Sequence, residues 1–390
     1  MQKAVIIGGS NGIGLAVSLE LIKQGYHAVI LDIAEPDEKY FQELADKYTF
    51  IRCNLLDLDE SIIEQLRDDA DVKLLMITAG FGRVTPFESL HTAEIKNMLQ
   101  VNTVSALKIV RIFYDRIMAK EPFYCGMMGS IAGLISSPMF SVYAASKAAV
   151  CRFIESVNIE LEFAGTDNRI LNVSPGSVKG TRFNKGENDM ELVSGLAREI
   201  VSRLFNSETL YIPEYDTIYK GVIERYNNDP HAYGVSSYQY KLDSGRFSTE
   251  KRVRIGYLSG TFDLFHVGHL NLLRNAKQYC DYLIVGVHPD ASHKGKVTFI
   301  PFEERMQIVG AVKYVDKVVR SCPEDCDAWD TLHYTHLFVG SDYKGTERFM
   351  RYEEYFKDKG VEIVYFPYTQ GTSSTQIREK IISNDKGDKQ

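Results

Sequence analysis

The chain has 390 residues, a net charge of −7, and 44% hydrophobic and 25% charged residues, the balance of ordinary globular protein. That charge offers no basic footprint for nucleic acid or for an anionic membrane, and no apolar run approaches the roughly 20 residues that span a bilayer. The length exceeds one ordinary core and divides into domains of about 250 and about 130 residues.

Through the first 180 residues, short β-branched runs alternate with amphipathic stretches, the pattern of a parallel sheet with helices on both faces. Strands are predicted over 4–7, 27–32, 49–53, 73–78, 124–130 and 169–174, each followed by a helix, the first over 12–24. The N-terminus runs straight into the first predicted strand, and no secretory leader is expected. Residues 192–224 read as helical. Residues 227–251 are rich in Asn, Asp, Ser, Tyr and Gly and carry Pro230, and they read as a loosely structured connector. A strand over 253–258 restarts the alternation, followed by strands over 282–287, 315–320, 336–339 and 362–366. The predicted fold class is α/β: two doubly wound, Rossmann-like parallel-sheet domains in tandem, residues 1–248 and 249–390.

The first strand runs into Gly8-Gly9-Ser10-Asn11-Gly12-Ile13-Gly14. A glycine-rich turn between a strand and a helix lets backbone approach a pyrophosphate and aims helix N–H groups at it. Asp32 closes the second strand, where a carboxylate accepts from both adenosine ribose hydroxyls and repels a 2′-phosphate. No Arg or Lys follows the loop serine or adjoins Asp32 to hold such a phosphate, which favours NAD(H) over NADP(H). Farther on, Tyr143 and Lys147 lie one helical turn apart on one face. An ammonium beside a phenol favours the phenolate and lowers a pKa that otherwise stands near 10. Ser130 ends the strand before them and can hydrogen-bond a substrate carbonyl; Asn102 lies on the intervening helix.

Together these residues resemble the short-chain dehydrogenase/reductase family over about residues 1–225. The matching pieces are the glycine loop, Thr78-Ala79-Gly80, Asn102, Ser130, Tyr143, Lys147 and Ser174-Pro175-Gly176. The resemblance implies that Tyr143 exchanges a proton with substrate, Lys147 lowers its pKa and binds the nicotinamide ribose, Ser130 positions the carbonyl, and Asn102 holds a water linking Lys147 to solvent. Cofactor contacts are expected from Gly8, Ser10, Asn11, Gly12, Ile13, Gly14, Asp32, Asn54, Ala79, Gly80, Lys147, Pro175 and Gly176. Two positions depart from the pattern. Thr78 stands where the family has asparagine, and Asn54 where it has an aspartate facing the adenine amino group.

The last third opens with Gly260-Thr261-Phe262-Asp263-Leu264-Phe265-His266-Val267-Gly268-His269. Two imidazoles three residues apart at a helix start can donate to the oxygens of an α-phosphate as its phosphorus becomes five-coordinate. A zinc pair is the other reading, and it lacks a third ligand at suitable spacing. This stretch resembles the HxGH nucleotidyltransferase superfamily, most closely its glycerol-3-phosphate cytidylyltransferase branch, from Arg254 to about Ile382. The resemblance implies His266 and His269 as catalytic. It implies nucleotide contacts from Gly260, Thr261, Phe262, Lys296, Arg305, Gly340, Asp342, Ser373, Ser374 and Thr375, with Mg²⁺ accompanying CTP and no metal site of the protein's own. Tyr368 replaces an arginine usual in that branch, which leaves an adenylyltransferase as an alternative.

The six scattered cysteines read as reduced thiols, and the tyrosines between 211 and 240 as core packing or an interface. The function expected from the fusion is a cytoplasmic, homo-oligomeric (dimer or tetramer) bifunctional enzyme. It would reduce a ketose phosphate to an alditol phosphate with NAD(P)H and couple that product to CTP for a cell-surface polysaccharide or teichoic-acid-like polymer. A reductase acting on a nucleotide-activated sugar, and one half serving as a non-catalytic nucleotide-binding module, stay open as alternatives.

Overall fold

The computed structural model describes residues 1–42, 44–181, 183, 187–245, 253–291, 297–366 and 377. Two compact units divide the chain, Met1–Lys251 and Arg252–Gln390.

The first unit holds seven strands: β1 Lys3–Ile7, β2 His27–Asp32, β3 Tyr48–Arg52, β4 Val72–Ile77, β5 Tyr124–Met128, β6 Ile170–Val173 and β7 Leu210–Tyr211. They pair in parallel in the order β3-β2-β1-β4-β5-β6-β7. Strands such as Ala4–Ile7 of β1 are buried on both faces, so they read as continuous apolar runs rather than as an alternation. The helices Glu60–Asp68, Ala106–Met118 and Ser141–Phe163 cover one face, where Ile63, Phe113, Ile154 and Leu161 pack. The helices Gly12–Lys23 and Met190–Phe205 cover the other with Leu15, Leu21, Ile200 and Leu204.

Three sequence expectations are corrected here. Between β2 and β3 there is no α-helix among the described residues, only the short 3₁₀ turns Glu38–Tyr40 and Ala45–Lys47. The helical reading of 192–224 is interrupted by β7, whose pairing with β6 no local pattern announces. The supposed connector is helical, with Lys220–Asn228 running into Pro230–Asp243. Pro230 is a helix start rather than a breaker: it occupies the first turn, where its missing N–H costs nothing, and the Asp229 carboxylate caps Ala232 N–H at 2.9 Å.

The second unit has β8 Ile255–Gly260, β9 Tyr282–Val287, β10 Lys317–Arg320, β11 His336–Gly340 and β12 Glu362–Phe366. They are parallel in the order β10-β9-β8-β11-β12. In each sheet the strand order reverses beside the strand that opens the unit, between β1 and β4 and between β8 and β11. Ligands of open α/β sheets bind outside the carboxyl ends of the strands at such switch points. Both glycine-bearing loops begin there. No helix among the described residues is long and apolar enough to cross a membrane.

Candidate functional site

In the first unit, the loop after β1 enters the helix Gly12–Lys23. Gly14 admits no side chain, because a Cβ there would stand 2.1 Å from the Gly8 carbonyl oxygen and 2.4 Å from Thr78 Oγ1. The Thr78 hydroxyl is shared between the carbonyls of Ile7 and Gly8, both at 3.0 Å. The residue that departs from the family pattern thus ties the end of β4 to the dinucleotide loop. Ser10 is fully buried and its hydroxyl has no partner among the described residues, a polar atom suited to a cofactor oxygen. Asp32 accepts from Ser10 N–H (3.1 Å) and Ile33 N–H (2.7 Å), which fixes the carboxylate at the end of β2. Asn54 spends its side-chain oxygen on Leu56 N–H at 3.0 Å. Its second lone pair is what remains for an adenine amino group. These features fit a dinucleotide.

Three residues missed by the sequence reading, Asn188, Tyr40 and Arg52, stand around this loop and Asp32. The Asn188 side chain accepts from Gly12 N–H at 2.9 Å and donates to Asn11 Oδ1 at 3.2 Å, while the Tyr40 hydroxyl donates to its carbonyl at 2.9 Å. The amide oxygen stands where a phosphate oxygen would take that helix-terminal N–H. Arg52 pairs in register with Asp32 across β2 and β3, donates to Ile33 O at 2.8 Å and reaches Glu35 at 3.6 Å. A basic side chain therefore does adjoin Asp32. Twenty positions separate the two in sequence, and only the strand register brings them together.

The residues expected to be catalytic converge at the ends of β4 and β5. Asn102 sits in a π-helical stretch, Gln100–Ser105, that leads into Ala106–Met118, and is 1% exposed. Its amide exchanges two bonds with the Phe81 backbone (2.9 and 2.8 Å) and donates to Ser146 Oγ at 3.0 Å. A Cβ on Gly80 would lie 3.2 Å from both Asn102 Oδ1 and Lys147 Nζ, so those two polar ends meet around one glycine. Lys147 donates to Met128 O at 2.8 Å. Ser130 accepts from Ala132 N–H at 3.2 Å and hydrogen-bonds the Tyr143 hydroxyl. The buried Pro175 carbonyl accepts from Ile131 N–H at 3.1 Å, and Tyr219 OH packs against Gly176. The Tyr143 ring stacks on Phe140 at 4.2 Å and tilts against Phe183 at 5.5 Å.

Electrostatics here run against the sequence expectation. Burial pushes the Tyr143 phenol up to about 12, only partly offset by the Ser130 bond, and pushes the Lys147 ammonium down to about 8. With Lys147 Nζ 5.8 Å from the ring centroid, desolvation outweighs any lowering of the phenol by the ammonium. Burial therefore holds the Tyr143 phenol protonated at neutral pH.

In the second unit, the loop after β8 is strained and clamped. Phe262 and Leu264 adopt left-handed backbone (φ +50° and +49°), which costs roughly 1–3 kcal/mol at each non-glycine residue. A Cβ on Gly260 would stand 2.9 Å from the Phe262 ring. The Asp263 carboxylate, 3% exposed, accepts from the N–H groups of Phe299 (3.1 Å) and Ile300 (3.0 Å). Thr261 Oγ1 is buried without a partner among the described residues.

Arg305 is a correction. Rather than facing phosphate, its guanidinium is fully buried and donates to the carbonyls of Thr261, His288 (2.8 Å), Pro289 (2.7 Å) and Ile300 (2.9 Å). It ties three chain segments around the loop.

His266 caps the helix Val267–Tyr279, its Nδ1 accepting from Gly268 N–H at 3.0 Å, and His269 Nδ1 accepts from His266 N–H at 3.4 Å. The rings stack with centroids 4.0 Å apart. Burial lowers the pKa of His266, favouring neutral imidazole. An Nδ1 that accepts a backbone N–H leaves the proton of a neutral ring on Nε2, so the pair supplies two parallel donors. Gly340 ends β11, and the exposed Asp342 folds over it. Lys296, Ser373, Ser374, Thr375 and the departing Tyr368 lie outside the described residues.

Comparison with known proteins assigns each unit. Residues 2–192 match the short chain dehydrogenase model, and residues 257–380 the Cytidylyltransferase-like model. The glycerol-3-phosphate cytidylyltransferase of Bacillus subtilis (strain 168) is 38% identical over 126 residues, 31% of this chain and 92% of that protein. The uncharacterized oxidoreductase YbbO of Escherichia coli (strain K12) is 29% identical over 199 residues, 49% of this chain and 71% of that one. A Burkholderia phymatum short chain dehydrogenase/reductase solved with NAD shares the fold at a TM-score of 0.50 and 19% identity, covering 58% of this chain and 93% of that one. The chain therefore carries a short chain dehydrogenase domain over residues 2–192 and belongs to the cytidylyltransferase-like family over 257–380, and is an oxidoreductase and a nucleotidyltransferase in one polypeptide.

Proposed function

We propose that the two units catalyse consecutive steps: reduction of the keto group of a small phosphorylated ketose, then cytidylyl transfer from CTP to the resulting alditol phosphate. The observation that carries this reading is the presence in one chain of the Ser130–Tyr143–Lys147 set and of the His266/His269 pair, the latter on a unit 38% identical to a glycerol-3-phosphate cytidylyltransferase. An alditol phosphate is what a ketose phosphate becomes on reduction, and it is a close chemical analogue of glycerol 3-phosphate.

In the first unit, Ser130 holds the substrate carbonyl and Tyr143 delivers the proton to its oxygen, while Lys147 and Asn102 fix the surroundings of the phenol. The nicotinamide cofactor supplies the hydride when bound, held by the glycine loop, Ser10 and Asp32. NADH is the cofactor proposed from Asp32, and the adjoining Arg52 favours NADPH as a second one. In the second unit, the alditol phosphate attacks the α-phosphorus of CTP and pyrophosphate leaves. The two imidazole N–H donors stabilise the charge that builds on the phosphate oxygens. Mg²⁺ enters on the triphosphate, whose charge it neutralises. The CDP-alditol product is an activated unit for a cell-surface polymer.

The test is incubation of the full chain with NADH, CTP and a panel of C3–C6 ketose phosphates, with products read by mass spectrometry. A CDP-alditol that forms only when both NADH and CTP are present supports the reading. A nucleotide-activated sugar accepted by the reductase in preference to every ketose phosphate would overturn the order of steps.

A further inference from the structure

The helix Pro230–Asp243 has no buried residue, yet its half-buried positions, the adjacent Tyr233 and Gly234 with Ser237 and Lys241 one and two turns on, form one stripe. Two points along that stripe touch the loop 134–140. A Cβ on Gly234 would lie 3.8 Å from Ser136 Oγ, and Lys241 Nζ donates to Ser137 Oγ at 2.8 Å and to Pro138 O at 2.6 Å. This loop connects the turn capped by Ser130 to the helix that carries Tyr143 and Lys147, and its last residue, Phe140, stacks on the Tyr143 ring. Met139 before it is held in left-handed backbone (φ +59°), its carbonyl accepting from Thr85 N–H at 2.7 Å.

Lys241 meets only neutral oxygens here. No carboxylate among the described residues acts on it, and burial alone pulls its pKa down to about 8. An ammonium withdrawn from water without a counter-ion is costly, and an arriving anion offsets that cost. The donor inventory fits such an anion. Among the described residues, two of the three Lys241 N–H bonds are used and the third is left over, while Ser137 accepts from Lys241 and so keeps its own O–H for another acceptor. Together with the Ser136 hydroxyl, these donors match the oxygens of a phosphate monoester.

We propose that Lys241, with the hydroxyls of Ser136 and Ser137, holds the phosphate of the reductase substrate and so selects phosphorylated over free ketoses. This rests on the ketose-phosphate reading above, and it assigns a binding role to a helix that lies beyond the 2–192 match to the dehydrogenase model.

The experiment compares the full chain with its Lys241→Gln and Lys241→Arg variants on one ketose with and without its phosphate. The expected result for K241Q is a KM for the phosphorylated ketose raised about tenfold or more, with kcat within about twofold, the signature of lost uniform binding. The KM for the free ketose stays unchanged, and K241R recovers most of the loss. Equal changes for both sugars, or none for either, overturn the proposal. Melting temperature and CTP-dependent pyrophosphate release serve as folding controls. If the wild type turns over no ketose phosphate at all, the substrate reading fails on its own. The anion site is then read by titrating NADH-loaded full chain with inorganic phosphate: binding lost in K241Q supports the site, and equal binding in both proteins removes it.

Discussion

Lys147 and Tyr143 are displaced in opposite directions by the same burial, and this has consequences for pH. Lys147 is held below the ordinary lysine value, at about 8, so between about 8 and 10.5 the unfolded chain binds a proton that the folded one does not. Its contribution to stability therefore rises with pH through that window. Tyr143 is held above its ordinary value, so its contribution is present below pH 10 and is lost as pH rises toward about 12. For catalysis, the phenol stays protonated throughout the neutral range, and the neighbouring ammonium is the group that titrates first. The kcat/KM for reduction of an unphosphorylated ketone, which offers Lys241 no phosphate, should be flat below pH 7 and fall through an inflection near 8, which Lys147→Met removes along with much of the activity. A wild-type profile flat to pH 9.5 would contradict the shift. Sequence spacing identified this pair but had the direction of the phenol shift reversed, because spacing says which groups are close and not how much water they lose.

Arg305 gives a second residue-scale case. As a phosphate ligand, its conversion to lysine would keep a positive charge and chiefly raise the KM for CTP. As a clamp on four carbonyls, lysine cannot reproduce the fork and leaves several buried acceptors unsatisfied, each costing about 1–3 kcal/mol. Arg305→Lys should therefore lower the melting temperature of the second unit while reductase activity persists. An unchanged melting curve with a raised KM for CTP would return Arg305 to the phosphate.

At the scale of elements, the sheets were largely readable, since buried parallel strands appear as short apolar runs and the glycine loops mark where helices begin. What could not be read was non-local. The register that sets Arg52 beside Asp32, the two-residue β7, and the return of Asn188 to the dinucleotide loop depend on pairings 20 to 176 positions apart. The capped helix at Pro230 was lost for another reason: Asp-Pro marks turns and helix starts alike, and only the continuation decides. The π-helical stretch Gln100–Ser105 also had no sequence signal, yet it carries Asn102 to Gly80 and Lys147. Such stretches hold one residue more than an α-helix needs and concentrate at functional sites. Deleting Val104, which is exposed within it, should regularise the helix, swing Asn102 off the Phe81 backbone and cut reduction by about tenfold or more. Val104→Ala, which keeps the extra residue, should be close to neutral. Near-wild-type reduction by the deletion variant, with circular dichroism showing a folded protein, would remove the positioning role.

At the scale of the whole molecule, each unit has its own parallel sheet, its own apolar clusters and its own candidate site at its own switch point. The two chemistries should therefore separate by point mutation. Tyr143→Phe removes the proton donor and should slow ketose phosphate reduction by about a hundredfold or more, the scale of lost general acid catalysis. Pyrophosphate release from CTP with a supplied alditol phosphate should barely change. His269→Ala removes one of the two Nε2 donors and should slow cytidylyl transfer by a similar factor while reduction persists. An equimolar mixture of the two variants then contains one working copy of each site on different chains. If that mixture makes CDP-alditol from ketose phosphate at close to the wild-type rate, the intermediate passes freely through solution, and fusion serves to keep the two activities in equal amount. A mixture far slower than wild type at low ketose phosphate, with each single activity at full strength, would mean that the alditol phosphate is handed on within one molecule.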